Sequence, residues 1–182
     1  MVGKALKYRW PHLIDEQKRG SILYSYIEKY LGNIESVLDM NCGFAPLYPF
    51  LADKLYFGFD NNEQAIRELR EKYSGAQWQL CSDNEWDKDI QVDLLLLLGM
   101  GAGLERGESK TEIESLGRLA KKYNPKIIIV EIADGHKKNH WYKVPQAIPE
   151  YVLEQFFVYD SRMNHCNMRL LKVYMHEDSY NK

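Results

Sequence analysis

The chain has 182 residues, of which 45% are apolar and 27% are charged, an ordinary balance for one globular domain with a sizeable core. A formal net charge of −2 excludes a general polyanion-binding field. We therefore expect no extended nucleic-acid groove, although a local basic patch stays open. The three widely spaced cysteines, Cys42, Cys81 and Cys166, form no metal-type pair and suit a reducing cytoplasm.

Neither the N-terminal residues nor the longest apolar run predicts a membrane segment. The first twelve residues, MVGKALKYRWPH, lack the apolar core of a signal peptide. The longest apolar run, LLLLLG at 94–99, is too short to span a bilayer and indicates a buried strand. We expect a cytoplasmic protein without a membrane partner.

Helical spacing of apolar residues predicts a first helix over 15–31, which ends at Gly32. A strand follows at SVLDM (36–40), and Pro46 suits the first turn of the next helix. The second strand is LYFGFD (55–60). The helix after it covers 61–73, where Asn61 and Gln64 have capping-box spacing.

Strand three is predicted at AQWQLCS (76–82) and strand four at VDLLLLLG (92–99), an apolar run typical of a parallel strand that is covered on both faces. Ser109 and Glu112 form a capping box for a helix that Pro125 ends. Strand five is KIIIVEIA (126–133). A short helix is predicted at PEYVLEQF (149–156).

The last two extended stretches, FVYDSRM (157–163) and MRLLKVYMH (168–176), are joined by NHCN. This link is too short for a crossover helix, so the two stretches are predicted to form a hairpin. The whole pattern predicts an α/β fold: a Rossmann-like, doubly wound, mostly parallel seven-stranded sheet with a C-terminal antiparallel hairpin.

The turn after strand one is the first candidate binding site, because ligands bind at the carboxyl ends of parallel strands. Gly43 would let the backbone approach a ligand closely. Asp60, which ends strand two, lies 21 residues after Asp39, and an acid there can accept hydrogen bonds from both hydroxyls of a ribose. A simple Asx turn at Asp39 is the alternative.

With these features the chain resembles the class I S-adenosylmethionine-dependent methyltransferases over roughly residues 21–175. VLDMNCGFAPL is similar to their first motif, commonly V-L-D-x-G-C-G-x-G, and FGFDNNEQAI is similar to their second. CSDNEW matches the third in position, and the terminal hairpin is similar to the strand pair that completes their sheet. The resemblance implies S-adenosylmethionine as cofactor and methyl transfer as activity.

The resemblance also implies a role for each matching position. Asp39 orients the turn and helps to hold the methionine ammonium, and Gly43 lies under the methionine part. Asp60 takes the ribose hydroxyls, and Asn61 lines the adenine. The other cofactor-binding candidates are Asn41 and Cys42 in the turn, Asp83 and Asn84 at the adenine amino group, and Gly99 and Met100 beside the reacting methyl.

Two features depart from the family pattern. Asn41 and Ala45 stand where the first motif has glycines; asparagine tolerates positive φ better than other residues with a side chain, and a helix start can absorb the alanine methyl. After strand four the chain has LLGMGAGLE rather than an Asn/Asp-Pro-Pro-aromatic motif. This argues against methylation of amines in bases.

The loop after strand five supplies weak catalytic candidates, His136, His140 and Glu131, since imidazole titrates near neutrality. A solvated polar loop without a catalytic role is the simpler interpretation. No metal site is predicted. The chain is divided into an N-terminal segment (1–20), a core (21–175) and a tail (176–182) of one domain. The N-terminal KYRWPH could form a lid or pack on the surface.

The predicted function is methyl transfer from S-adenosylmethionine to an unidentified acceptor. A small molecule is favoured, or a partner protein that completes the acceptor pocket. A module that binds the cofactor or a nucleoside without catalysis is one alternative. A nicotinamide-dependent oxidoreductase is another, and it requires a parallel last strand and a turn that takes a pyrophosphate.

Overall fold

A computed structural model describes residues 13–81, 90–99, 109–133, 148–160 and 168–180. The helices in these ranges are α1 (Leu13–Ile27), α2 (Tyr48–Leu51), α3 (Glu63–Lys72), α4 (Ser109–Tyr123) and α5 (Glu177–Tyr180), with a 3-10 turn at Glu28–Tyr30. The strands are β1 (Ser36–Met40), β2 (Leu55–Asp60), β3 (Gln77–Leu80), β4 (Leu94–Leu97), β5 (Ile127–Ala133), β6 (Tyr151–Asp160) and β7 (Met168–His176).

The seven strands form one sheet in the order β3-β2-β1-β4-β5-β7-β6. Strands β1 to β5 pair in parallel, whereas β7 runs antiparallel to both β5 and β6. The predicted Rossmann-like sheet with a C-terminal antiparallel hairpin is therefore confirmed. The insertion of the last strand beside strand five is confirmed as well, and this topology is not the parallel ending of a nicotinamide-binding fold.

Two apolar layers cover the two faces of the sheet. On the first face, α1, α2 and α3 pack over side chains such as Val37, Tyr56 and Ile129. On the second face, α4 packs over side chains such as Leu38 and Ile128. All four residues of β4 are buried, as expected for a parallel strand that both layers cover.

The prediction of a helix at PEYVLEQF is wrong, because the edge strand β6 begins within this segment, at Tyr151. Glu150 adopts a φ of +68° and turns the chain, after which Tyr151 pairs with His176. The ladder then continues to the pair Asp160 and Met168, with a register shift between Leu153 and Gln155. Leu, Glu and Gln favour helix locally, but the long partner β7 and the aromatic and β-branched residues favour a strand.

Three helix ends differ slightly from those predicted. The first helix ends at Ile27 and continues as a 3-10 turn, not as an α-helix to residue 31. Pro46 precedes α2, and Pro49 occupies its first turn instead. Asn62, not Asn61, caps α3, because its side chain accepts hydrogen bonds from the backbone N–H groups of Gln64 and Ala65.

An aromatic cluster surrounds Trp78 on the first face of the sheet. Its ring centroid lies 5.2 Å from that of Tyr48 and 5.5 Å from that of Tyr56. The indole N–H donates to the backbone oxygen of Tyr73 at 2.9 Å. The ring also covers Gly58, where a Cβ would lie 2.4 Å from a ring atom, so only glycine fits there.

The backbone of helix α1 packs directly against the backbone of the turn after β1. Gly20 is buried in α1, and a Cβ built there would lie 1.9 Å from the backbone oxygen of Pro46. The glycine thus permits α1 to rest directly on the turn, and any side chain at this position would separate the two.

We expect Gly20→Ala to lower the free energy of unfolding by about 1–3 kcal/mol, because overpacking against backbone outweighs the better helix propensity of alanine. Gly117→Ala in α4 is the matched control: a Cβ there meets nothing within 4 Å, and the variant should gain about 0.5–1 kcal/mol. Chemical denaturation of both variants measures the difference. A Gly20→Ala variant as stable as Gly117→Ala would contradict the close contact.

Candidate functional site

The carboxyl ends of β1, β2 and β4 meet at one edge of the sheet, because these three strands are parallel. This edge carries the turn after β1, the carboxylate of Asp60 at the end of β2, and Gly99 just beyond β4. Asp39 and Glu131 lie on β1 and β5 near the same edge. The structure therefore brings together the predicted candidates that fall in its described ranges.

The turn after β1 uses the left-handed backbone region at alternate residues. Asn41, Gly43 and Ala45 have φ values of +54°, +52° and +48°. Asn41 thus takes the conformation expected of the glycine it replaces. Ala45 also takes it, although its methyl is buried, at a cost of roughly 1–2 kcal/mol for a residue with a Cβ.

Asp60 braces this turn from the neighbouring strand. Its Oδ2 accepts a hydrogen bond of 2.8 Å from the Gly43 N–H, and its Oδ1 accepts one of 2.8 Å from the Asn62 N–H. The side chain is buried, whereas Asn61 beside it is exposed. A carboxylate offers about four acceptor directions, so Asp60 can hold the turn and still accept from a ligand.

Asp39 lies completely buried beneath the turn. Tyr56 on β2 donates its hydroxyl proton to Oδ2 at 2.5 Å. Among the residues that the structure describes, none donates to Oδ1. The carboxyl group is therefore half satisfied, which is costly for a buried polar group unless a proton or another partner completes it.

Burial raises the pKa of Asp39 from the ordinary 3.8 to about 7. The hydrogen bond from Tyr56 and the positive charge of Arg19 act in the opposite direction, and the negative charges of Asp60 and Glu131 raise the pKa further. Burial therefore keeps this carboxyl protonated to a much higher pH than an exposed aspartate.

A buried ionic cluster lies beside Asp39 and ties α1 to the sheet. Arg19 of α1 donates to both carboxylate oxygens of Glu131, and Arg169 of β7 donates to Oε2 of Glu131 at 2.9 Å. The Glu131 side chain is fully buried, and its carboxylate forms ion pairs with both guanidinium groups. The backbone N–H of Gly99, which has a φ of +78°, donates to the Glu131 backbone oxygen.

Cys42 also lies in the turn. Burial raises the pKa of its thiol well above the ordinary value, and its sulfur lies 3.9 Å from the Gly43 backbone oxygen. A buried thiol with a raised pKa is a packing residue and not a nucleophile. Among the described side chains, no group of three or more His, Cys, Asp and Glu could hold a metal ion.

Several predicted site residues lie outside the described ranges: Asp83, Asn84, Met100, His136 and His140. The N-terminal KYRWPH also lies outside them. Within the described chain, no helix is both long enough and apolar enough to cross a bilayer.

Sequence reasoning missed two residues that shape this site, Arg19 and Tyr56. Arg19 lies four residues before Leu23 on the apolar stripe of α1, and a charge on such a stripe signals a buried partner. Tyr56 lies four residues before Asp60 and therefore points to the same face of the sheet. That spacing signals a polar group within reach of the site.

No protein-family model matches the sequence, and no curated protein matches it. Solved structures do. A magnesium protoporphyrin IX methyltransferase (ChlM) from Synechocystis PCC 6803, with bound SAM, aligns with a TM-score of 0.68 and 13% identity over 90% of this chain and 81% of that one.

Two further similar structures are rRNA methyltransferases. An rRNA methylase from Escherichia coli aligns with a TM-score of 0.58 and 19% identity over 86% of this chain. The 16S rRNA methyltransferase RmtF, in complex with S-adenosyl-L-homocysteine, aligns with a TM-score of 0.63 and 13% identity over 90% of this chain. This chain spans 63% and 64% of their respective lengths. The chain thus has the class I methyltransferase fold.

The pKa of Asp39 makes stability depend on pH. The folded-state pKa of about 7 exceeds the ordinary 3.8, so the stabilising contribution is complete below pH 3.8 and is lost as the pH rises through 7. Asp39→Asn cannot ionise. We therefore expect its free energy of unfolding, relative to that of the wild type, to rise by about 1.4 kcal/mol for each pH unit between pH 5 and 7.

Urea unfolding of both proteins at pH 5, 6, 7 and 8 measures this difference directly. Comparing the two proteins at each pH cancels the titration of every other group, such as Asp93, whose pKa is lowered. A difference between the two proteins that does not change with pH would show that Asp39 titrates alike in the folded and unfolded chains.

Proposed function

We propose that this chain binds S-adenosylmethionine at the carboxyl ends of β1, β2 and β3 and transfers its methyl group to an acceptor. The observation that carries the proposal is the arrangement of Asp39, the left-handed turn and Asp60 at one edge of a class I methyltransferase sheet. Similar structures that hold the cofactor or its demethylated product support the choice of ligand.

Asp60 is proposed to accept the ribose hydroxyls. Its two hydrogen bonds to the backbone orient the carboxylate at the end of β2, and each oxygen keeps a further acceptor direction. Asn61, exposed beside it, is proposed to line the adenine together with Asp83 and Asn84. Hydroxyl-to-carboxylate bonds are charge-assisted, so this contact would contribute much of the affinity.

The turn is proposed to carry the methionine part of the cofactor. A Cβ built on Gly43 meets nothing within 4 Å, so the space over this residue is open. Asn41 and Cys42, the two residues before Gly43 in the turn, are proposed to border that space. Asp39 below it has a buried side-chain oxygen, Oδ1, to which no described residue donates, and a ligand ammonium is proposed as its partner.

The methyl group is proposed to be delivered near Gly99 and Met100, beside the ionic cluster. Transfer from a sulfonium requires positioning more than proton transfer, and positioning contributes up to about 7–11 kcal/mol in ideal cases. In our proposal Glu131 anchors Arg19 and Arg169 and does not act as a base. The base, where an acceptor needs one, is then His136 or His140.

For the acceptor we propose a small molecule, since a net charge of −2 provides no field that would attract a polyanion. The named activities of the similar structures, on rRNA and on a porphyrin, cover both classes of acceptor. A partner protein could complete the acceptor pocket.

Binding without transfer is the second candidate function. It is favoured by one observation. The guanidinium groups of Arg19 and Arg169 donate to the carboxylate of Glu131, the only predicted catalytic residue within the described ranges, so this carboxylate is not available as a base. Calorimetry with S-adenosylmethionine and S-adenosylhomocysteine, with NAD as control ligand, tests binding. Release of labelled methyl to small-molecule, RNA and protein acceptors tests transfer. Binding of NAD alone would overturn both functions.

We expect Asp60→Ala to weaken S-adenosylhomocysteine binding roughly tenfold to a hundredfold, since charge-assisted hydrogen bonds contribute about 1.5–3 kcal/mol each. Because Asp60 also braces Gly43, the 2′-deoxy analogue of the ligand separates the two effects. It should bind less tightly than the parent ligand to the wild type but equally to the variant.

The control for this experiment is Asp53→Ala, an exposed acid whose ion pair is with the adjacent Lys54. It should leave both affinities unchanged. If Asp60→Ala weakens binding of the deoxy analogue as much as it weakens binding of the parent ligand, Asp60 holds the turn and does not contact the ribose.

We expect Gly43→Ala to lower the free energy of unfolding by only about 1–2 kcal/mol, the cost of a Cβ at positive φ without a clash. Its methyl would fill the space over the turn, so S-adenosylhomocysteine should bind more than roughly tenfold less tightly, whereas adenosine should bind as before. Thermal melts and calorimetry measure the two effects. Equal affinity for S-adenosylhomocysteine would place the methionine part elsewhere.

A further inference from the structure

The carboxyl group of Asp39 presents its two oxygens to different environments. Oδ2 is occupied by the Tyr56 hydroxyl at 2.5 Å, while no described residue donates to Oδ1. The whole side chain is inaccessible to solvent. Because an unpaired anion in such a place is costly, burial favours the form of this carboxyl that carries a proton.

The charged groups around Asp39 do not replace that proton. Arg19 faces it from α1, but the Arg19 guanidinium donates to both oxygens of Glu131. Asp60 and Glu131 face it from β2 and β5 and oppose its ionisation. Cys42 faces it from the turn as a neutral thiol, since its own pKa is raised.

We propose that Asp39 exchanges this proton for the cationic amino group of the cofactor, and that Tyr56 is the positioning residue that keeps Oδ1 free to receive it. The inference rests on the proposed function. In the exchange the carboxylic acid and the ligand ammonium form a carboxylate–ammonium pair, and one proton is released to the solvent. No covalent bond other than the O–H bond changes.

The exchange makes ligand binding depend on pH in a defined direction. Below the pKa of Asp39 the incoming ammonium must displace a proton, so affinity falls tenfold for each pH unit. Above that pKa the carboxylate is already ionised, and affinity is independent of pH. With a pKa of about 7, binding at pH 5 should be roughly a hundredfold weaker than at pH 8.

The number of protons released is measured by calorimetry of S-adenosylhomocysteine binding in phosphate and in imidazole buffers, whose ionisation enthalpies differ. We expect about one proton at pH 6 and close to none at pH 8. 5′-Methylthioadenosine, which lacks the amino acid part, should release none at either pH. Asp39→Asn should bind S-adenosylhomocysteine without proton release at both values.

Tyr56→Phe tests the positioning role. Without its hydroxyl the carboxyl loses the hydrogen bond that lowers its pKa, so the midpoint of the pH dependence should move upwards and proton release should persist at pH 8. Tyr151→Phe is the matched control, because it removes a buried hydroxyl that donates to the Pro125 backbone oxygen at 2.7 Å, far from the turn. Its midpoint should equal that of the wild type.

Each outcome decides the proposal. S-adenosylhomocysteine binding without proton release at pH 6, or with unchanged release in Asp39→Asn, would overturn the exchange and leave the proposed function standing. An unchanged midpoint in a folded Tyr56→Phe variant would overturn the role of Tyr56. A wild-type protein that binds no S-adenosylhomocysteine at any pH would overturn the exchange and the proposed function together.

Discussion

The hydrogen bond from the Gly43 N–H to the Asp60 carboxylate is the contact on which the rest of the site depends. It joins the turn after β1 to the end of β2, and it forms only because the backbone between Asn41 and Ala45 alternates into the left-handed region. The parallel pairing of β1 and β2 places the two groups at the same edge. A local backbone conformation and a long-range strand pairing are thus linked at one carboxylate.

Most of the fold could be predicted from the sequence because its signals are local and repeated. Alternation of strands and helices, the unbroken apolar run of β4 and the short link before β7 each limit the topology to few choices. The start of β6 could not be predicted in the same way. Residues 149–156 have helical propensity, and only their pairing with a strand from the other end of the hairpin makes them a strand.

The site was partly predictable for a related reason. Asp39, Gly43 and Asp60 fall at positions that a strand–turn–helix pattern marks directly. Tyr56 and Arg19 were not marked, because their importance arises from contacts across the sheet: the hydroxyl of one reaches a neighbouring strand, and the guanidinium of the other reaches β5 from a helix. Motifs identify residues that touch a ligand more readily than those that orient them.

The packing of Trp78 against Gly58 makes an α proton of this glycine a spectroscopic probe of the site. A Cβ at Gly58 would lie 2.4 Å from the indole ring, so one of its α protons lies next to that ring and within the field of its ring current. Its NMR resonance should therefore be displaced by the ring current from the usual range of glycine α protons. Gly58 is paired with Asp39 in the sheet and lies two residues before Asp60. This single resolved signal can follow events at both carboxyl groups in the unlabelled protein.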